Sequence, residues 1–254
     1  MVAIASRSEA GVAVADMYPN LRGYYDLAFT EPSEAVLIGC DLVFFATPHG
    51  VAMEMAPSLV AAGVKVIELA ADFRDEDRSI GSKWYGLEHT CPELMGAVAY
   101  GLPELFREQI QQAKVIANPG CYPTSILLAA VPLLRSGLVK LDDIVADGKS
   151  GVSGAGRGAS VAMLGAEMSE SFKAYGIQGH RHLPEMQEKL QQLTGQTVGL
   201  TFVPHLAPMV RGMESSVYMT LTADASEAAL HSILATTYED EPFVDVMPLG
   251  SMPE

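Results

Sequence analysis

Short apolar runs alternate with longer stretches of helical character along the first half of the chain. Residues 2–5, 42–46, 64–69 and 114–117 are clusters rich in Val, Ile, Leu, Phe and Ala, closed by polar or glycine-bearing turns. They read as buried strands. The turn "TPHG" after the second run leads into a helical stretch at 51–62. This alternation predicts a parallel, helix-covered sheet. Beyond Cys121 the pattern changes. Strand candidates at 144–146, 198–203 and 216–222 are richer in Thr and Tyr and stand between long loops. They predict a second, mixed or antiparallel sheet. The chain is therefore expected to be α/β overall, a parallel-sheet domain over 1–117 followed by an α+β domain over 118–254.

Composition narrows the function. With 254 residues, 49% hydrophobic and 19% charged, the chain can bury a large core. Its net charge of −15 makes nucleic acid a poor partner, because binding phosphate backbones needs a basic face. No apolar run approaches the roughly 18 residues of a membrane span, so no membrane partner is expected. The three cysteines, Cys40, Cys91 and Cys121, include no CxxC pair. A reducing, cytoplasmic setting is expected.

Four stretches carry candidate chemistry. In "VIANPGCYPTSILL" a strand ends, Asn118-Pro119-Gly120 turns, and Pro123 suits the first turn of a helix. Cys121 thus falls at or just before a helix N-terminus, where peptide N–H groups and the dipole favour a thiolate. The same residue could equally be a small buried hydrophobe. In "GHRHLPE", His180 and His182 share a face if the segment is extended, with Glu185 beyond. The pair could ligate zinc, but one nearby carboxylate and no neighbouring cysteine make that a loose signal. A base serving a sequence-distant cysteine uses both motifs, and no metal is expected. In "DGKSGVSGAGRGAS", glycines could turn N–H groups toward an anion, with Lys149 and Arg157 adding charge. Arg181 and Arg211 are further cations. The "SRS" turn at Ser6 to Ser8 pairs a hydroxyl with an arginine, the combination that accommodates the 2′-phosphate of NADP.

With "SRSEAG", "FFATPHG", "ELAADFR", "YGLPE", "NPGCYPT", "KSGVSGAGR", "GHRHLPE" and "TFVPHLAPMVRG" in this order, the chain resembles N-acetyl-gamma-glutamyl-phosphate reductases, NADPH-dependent enzymes of arginine biosynthesis. The resemblance covers essentially the whole sequence. It implies a partial Rossmann-type nucleotide domain, Cys121 as nucleophile, His182 as acid/base, and His180 and Glu185 in support. It also implies cofactor contacts at Ser6, Arg7, Thr47, Pro48, Ser150, Gly151, Ser153 and Gly154. Substrate contacts would be Asn118, Lys149, Arg157 and Arg181, and the enzyme would be a homo-oligomer, dimer or tetramer. Members of the family open with a strand and glycine-rich turn, and close with a helix, that have no counterpart here. The sequence therefore reads as the family's middle, and NADPH binding by these residues alone is expected to be weak. Three other readings stay open: an aspartate-semialdehyde-dehydrogenase-like reductase, a silent chain acting only in assembly, and a thiol hydrolase.

Overall fold

The structure, a computed structural model, describes residues 3–86 and 88–253. Its contacts divide the chain into two compact units, Met1–Asn118 and Pro119–Glu254.

The first unit contains α1 (Val14–Met17), α2 (Glu34–Leu37), β1 (Leu42–Phe45), α3 (Val51–Ala61), β2 (Lys65–Glu68), α4 (Arg78–Tyr85), β3 (Val98–Tyr100), α5 (Pro103–Gln112) and β4 (Val115–Ala117). The four strands form a parallel sheet in the order β1-β2-β4-β3. Register aligns Val43, Val66 and Val115 in one row and Phe45, Glu68 and Ala117 in the next. All six are buried, and Ala52, Met53, Ala56, Leu59 and Val60 of α3 belong to the same core. Burial of this apolar face is what holds the helix on the sheet, since Pro57 interrupts its own hydrogen bonding. The strand expected at 2–5 begins outside the described residues. Its described part makes a single parallel bridge, Ala5 to Thr30, and is not a strand of the sheet. Its main-chain groups are taken by Thr30, which accepts from the Ser6 N–H at 2.9 Å and donates to Ile4 at 3.0 Å.

The second unit contains α6 (Cys121–Ser136), β5 (Val139–Ser150), α7 (Gly165–Met168), β6 (Lys173–Ala174), α8 (His182–Thr194), β7 (Leu200–Leu206), β8 (Met213–Leu221) and α9 (Glu227–Thr237). Its sheet, ordered β6-β7-β5-β8, is mixed: β5 pairs parallel with β7 and antiparallel with β8. Along β5 the buried Ile144, Ala146, Gly148 and Ser150 alternate with half-exposed Val145, Asp147 and Lys149. The long apolar helix α6 packs against β5 and β8, with α8 and α9 beside it. Ile126, Leu127, Ala130 and Val131 of α6 meet Met186 and Leu190 of α8 in the core, all fully buried. Gly148 is required where the buried Tyr122 ring crosses β5, because any side chain there would overlap the ring. Among the described residues no helix is long and apolar enough to cross a membrane.

Candidate active site

Cys121 is the first residue of α6 and is exposed. Gly120 precedes it in an extended conformation, φ −64° and ψ 155°. Pro123 takes the third helical position, where an absent N–H leaves no helical bond unmade. The peptide dipoles of a 16-residue helix therefore end at the thiol and favour the anionic sulfur that a nucleophile needs.

The histidine motif is not an extended segment, the condition under which the two rings would share a face. It opens α8, which begins at His182. His180 caps that helix: its Nδ1 accepts the His182 N–H at 3.1 Å and its carbonyl accepts the Leu183 N–H at 2.9 Å. Pro184 and Glu185 in the first turn were the sequence signal for this start. Burial, reinforced by the Arg181 charge, pushes the His180 pKa down to about 4, so its ring is neutral. His182 and Glu185 are only 5% and 1% exposed. Both converge on Gly120. Glu185 Oε1 accepts the Gly120 N–H at 2.8 Å, and His182 Nε2 would stand 2.7 Å from a Cβ at that position. Tyr122 packs its ring edge against both histidines, with centroids 5.9 Å from His180 and 6.1 Å from His182. The sequence reading used Gly120 only as part of a turn and gave Tyr122 no role, although both flank the cysteine. Among the described residues no three His, Cys, Asp or Glu side chains are grouped to hold a metal ion.

The glycine-rich stretch departs from expectation. The N–H groups of Gly151, Val152 and Ser153 donate to the carbonyls of Gly212, Met209 and Val210 at 3.0, 3.0 and 2.9 Å. Gly154 donates back to Gly151. These donors tie the loop to residues 209–212, so they form no open anion cradle. Ser150 is buried and donates its hydroxyl to the Gly151 carbonyl at 3.1 Å. Lys149 lies 3.1 Å from Asp147 and 3.0 Å from Glu214, its cross-strand partner, and donates to Ser216 Oγ at 2.9 Å. Burial works to lower its pKa, but the Glu214 and Asp147 carboxylates outweigh that and raise it. Lys149 is thus held between two acids in this structure. Arg157, Arg181 and Arg211 are exposed.

In the first unit Arg7 Nη2 lies 3.7 Å from Glu54 Oε2, both side chains 69% exposed. Thr47 and Pro48 form the turn from β1 into α3, which Gly50 completes by donating its N–H to Asp72 at 2.9 Å. In open parallel sheets ligands sit outside the carboxyl ends of strands, where this turn lies. The Thr47 hydroxyl is buried without a hydrogen-bond partner among the described residues, an acceptor and donor suited to a nucleotide oxygen. Asn118 is fixed by its main chain: its N–H donates to Glu68 at 2.8 Å, and its carbonyl accepts Arg74 Nε at 2.7 Å.

Two family models together match almost the entire sequence. Residues 1–113 match "Semialdehyde dehydrogenase, NAD binding domain", and residues 121–254 match "Semialdehyde dehydrogenase, dimerisation domain". An N-acetyl-gamma-glutamyl-phosphate reductase from Herminiimonas arsenicoxydans is 57% identical over 254 residues, covering 100% of this chain and 74% of that protein. Another, from Pseudomonas fluorescens strain SBW25, is 58% identical over 255 residues with the same coverage. The chain belongs to the N-acetyl-gamma-glutamyl-phosphate reductase family. This reductase-family chain is thus an oxidoreductase with a nicotinamide-binding segment followed by a dimerisation segment. It shares its fold with aspartate semialdehyde dehydrogenase II from Vibrio cholerae (TM-score 0.67, 16% identity, 92% of this chain and 69% of that one). The NADP-bound aspartate semialdehyde dehydrogenase from Candida albicans has the same fold at a TM-score of 0.64 and 14% identity, covering 92% and 68%.

Proposed function

We propose that the protein reduces N-acetyl-gamma-glutamyl phosphate to N-acetylglutamate semialdehyde and phosphate, with NADPH as reductant. The observation that carries this reading is the exposed Cys121 thiol at the start of α6, next to the residue on which His182 and Glu185 converge. Cys121 Sγ attacks the acyl carbon, the bond from that carbon to the phosphate oxygen breaks, and a thioester remains. His182 takes the thiol proton and returns it to the departing phosphate oxygen. His180 is unsuited to that task, because a ring held neutral down to about pH 4 carries no proton to give near neutrality. Its part is to hold the His182 main chain. A bound nicotinamide supplies the hydride that takes the acyl carbon to the aldehyde level. Main-chain N–H groups of the first turn of α6 stabilise the oxyanion, and Cys121 leaves as thiolate when the carbon–sulfur bond breaks.

Ser6 and Arg7 take the 2′-phosphate, with Thr47 and Pro48 against the nucleotide. Arg157 and Arg181 receive the substrate's negative charge, which a chain of net charge −15 must otherwise repel. Residues 1–117 serve the cofactor and 118–254 the chemistry and self-association of a cytoplasmic homo-oligomer. Assay in the aldehyde direction, with phosphate and NADP, compares N-acetylglutamate semialdehyde with aspartate semialdehyde. The first is expected to turn over at least about 100-fold more efficiently, since a site built for a polar acetamido group rejects an analogue lacking it. Equal efficiencies, or the reverse order, would transfer the protein to the aspartate-semialdehyde reading.

A further inference from the structure

Gly120 is the helix N-cap before Cys121, yet its backbone is ordinary extended chain that any residue adopts. Its lack of a side chain answers a different need. A Cβ there would stand 2.7 Å from His182 Nε2 and 2.9 Å from Cδ2 of the same ring, closer than real Cβ contacts come, and 3.0 Å from Glu185 Oε2, tighter than most of them. An N-cap glycine forgoes the side-chain acceptor that Ser or Asp provides. Little is lost here, because Pro123 at the third helical position has no N–H to offer.

Both peptide groups of Gly120 are fixed. The peptide before it donates its N–H to Glu185 Oε1 at 2.8 Å. The peptide after it, which carries the Cys121 nitrogen, is held through the Gly120 carbonyl, accepting from Thr124 N at 3.0 Å and Thr124 Oγ1 at 2.9 Å. Glu185 and His182 stand in the first turn of the same helix, α8, so one rigid element supplies both the anchor and the imidazole.

From this geometry we infer that Gly120 and Glu185 are a positioning pair for the nucleophile: the Glu185 carboxyl fixes the Gly120 peptide, and the space of the missing side chain seats the His182 ring beside Cys121. The inference rests on the reading of Cys121 as nucleophile and His182 as its acid/base. Neither Gly120 nor Glu185 exchanges a proton with substrate in this role.

Three substitutions test it in the intact protein, by steady-state kinetics and by the pH profile of Cys121 alkylation with iodoacetamide, which needs no substrate. Gly120→Ala should lower kcat by about 100-fold or more, the scale of a misplacement near 1 Å, with KM changed little. Its alkylation profile should move to higher pH as the imidazole leaves the thiol. Glu185→Gln keeps an acceptor oxygen for the Gly120 N–H and should hold kcat within about tenfold, while Glu185→Met, of similar length without an acceptor, should lose about 10- to 100-fold more. The Gln and Met comparison decides the matter should Gly120→Ala not fold. Equal losses in Gln and Met, or an unchanged alkylation profile in Gly120→Ala, would overturn the positioning pair while leaving Cys121 as nucleophile. Turnover surviving in Cys121→Ser would overturn the underlying reading and the pair with it.

Discussion

Tyr238 donates its hydroxyl to the carbonyl of Leu128 at 2.6 Å. That carbonyl is the one that Pro132, inside α6, cannot serve, because proline has no N–H to return to the residue four before it. A buried tyrosine just beyond the end of α9 thus completes the helix that carries the nucleophile. Tyr238→Phe should lower stability by about 1–2 kcal/mol, the cost of leaving a partly buried acceptor unmet. In a Pro132→Ala background the helix supplies its own donor, so the same substitution should cost measurably less. A double-mutant cycle by thermal unfolding checks this. Additive effects would show that the two residues do not share the carbonyl.

The three thiols should separate by reactivity. Cys121 is exposed at a helix N-terminus. Cys91 is buried, and that burial, with Glu93 and Asp72 nearby, pushes its pKa up to about 11. Cys40 is half-buried with its sulfur 3.8 Å from the Val36 carbonyl. Brief iodoacetamide treatment near pH 7 with peptide mapping should label Cys121 first and Cys91 last, because the thiolate is the reacting species. Labelling of Cys40 at the rate of Cys121 would mean that the helix start confers no activation.

Glu68 should make stability depend on pH in an unusual direction. It stands between Phe45 and Ala117 in a buried row of the parallel sheet. Burial first, then the Asp72 carboxylate, push its pKa from 4.5 up to about 8, against the opposing pull of Arg74. Below the lower value Glu68 is protonated in both folded and unfolded chains and adds no penalty. Between the two values the unfolded chain releases the proton and the folded chain keeps it, so this group's contribution falls as pH rises. Above the folded value the loss levels off. Glu68→Gln should therefore sit within about 1 kcal/mol of the parent near pH 5 and gain on it steadily toward about pH 8. Urea unfolding across that range measures the difference, and a constant difference would show that Glu68 does not titrate there.

The parallel sheet was legible because its strands are unbroken apolar runs, as at Leu42–Phe45 and Val115–Ala117, and in the first of these Leu42 and Phe44 are apolar although their face is exposed. β3, Val98–Tyr100, was not among the runs read as strands, although it is as long as β4. β5 was recognised only at its apolar centre, since one face of the mixed sheet leaves Asp147 and Lys149 half-exposed. The helix start at Cys121 was readable from its local prolines. Burial of His182 and Glu185 was not, because what covers their polar groups includes Gly120, which lies 65 residues before Glu185. The acid beside Lys149 was hidden for the same reason: Glu214 is a neighbour only once β5 and β8 pair. Local sequence specified elements and chemistry, while the partners that decide which charges are available come from register.

Arg7 should decide between the two nicotinamide cofactors. Its contact with Glu54, 3.7 Å long with both side chains 69% exposed, is the kind of surface pair that contributes little and yields readily to a stronger anion. A 2′-phosphate carries more charge than a carboxylate and accepts the guanidinium in a forked geometry, so Arg7 should exchange Glu54 for it when NADPH binds. Arg7→Ala should then raise KM for NADPH by about 10- to 100-fold, the value of a charged hydrogen bond of roughly 1.5–3 kcal/mol, and leave KM for NADH nearly unchanged. Glu54→Gln removes the competitor and should lower KM for NADPH by about two- to fivefold at low salt, an advantage that shrinks as ionic strength rises. Parallel titrations with the two cofactors separate these effects from a general loss of the nucleotide site. If Arg7→Ala weakens NADPH and NADH equally, the "SRS" turn supports the fold near the cofactor without reading its phosphate, and discrimination must come from elsewhere in the first unit.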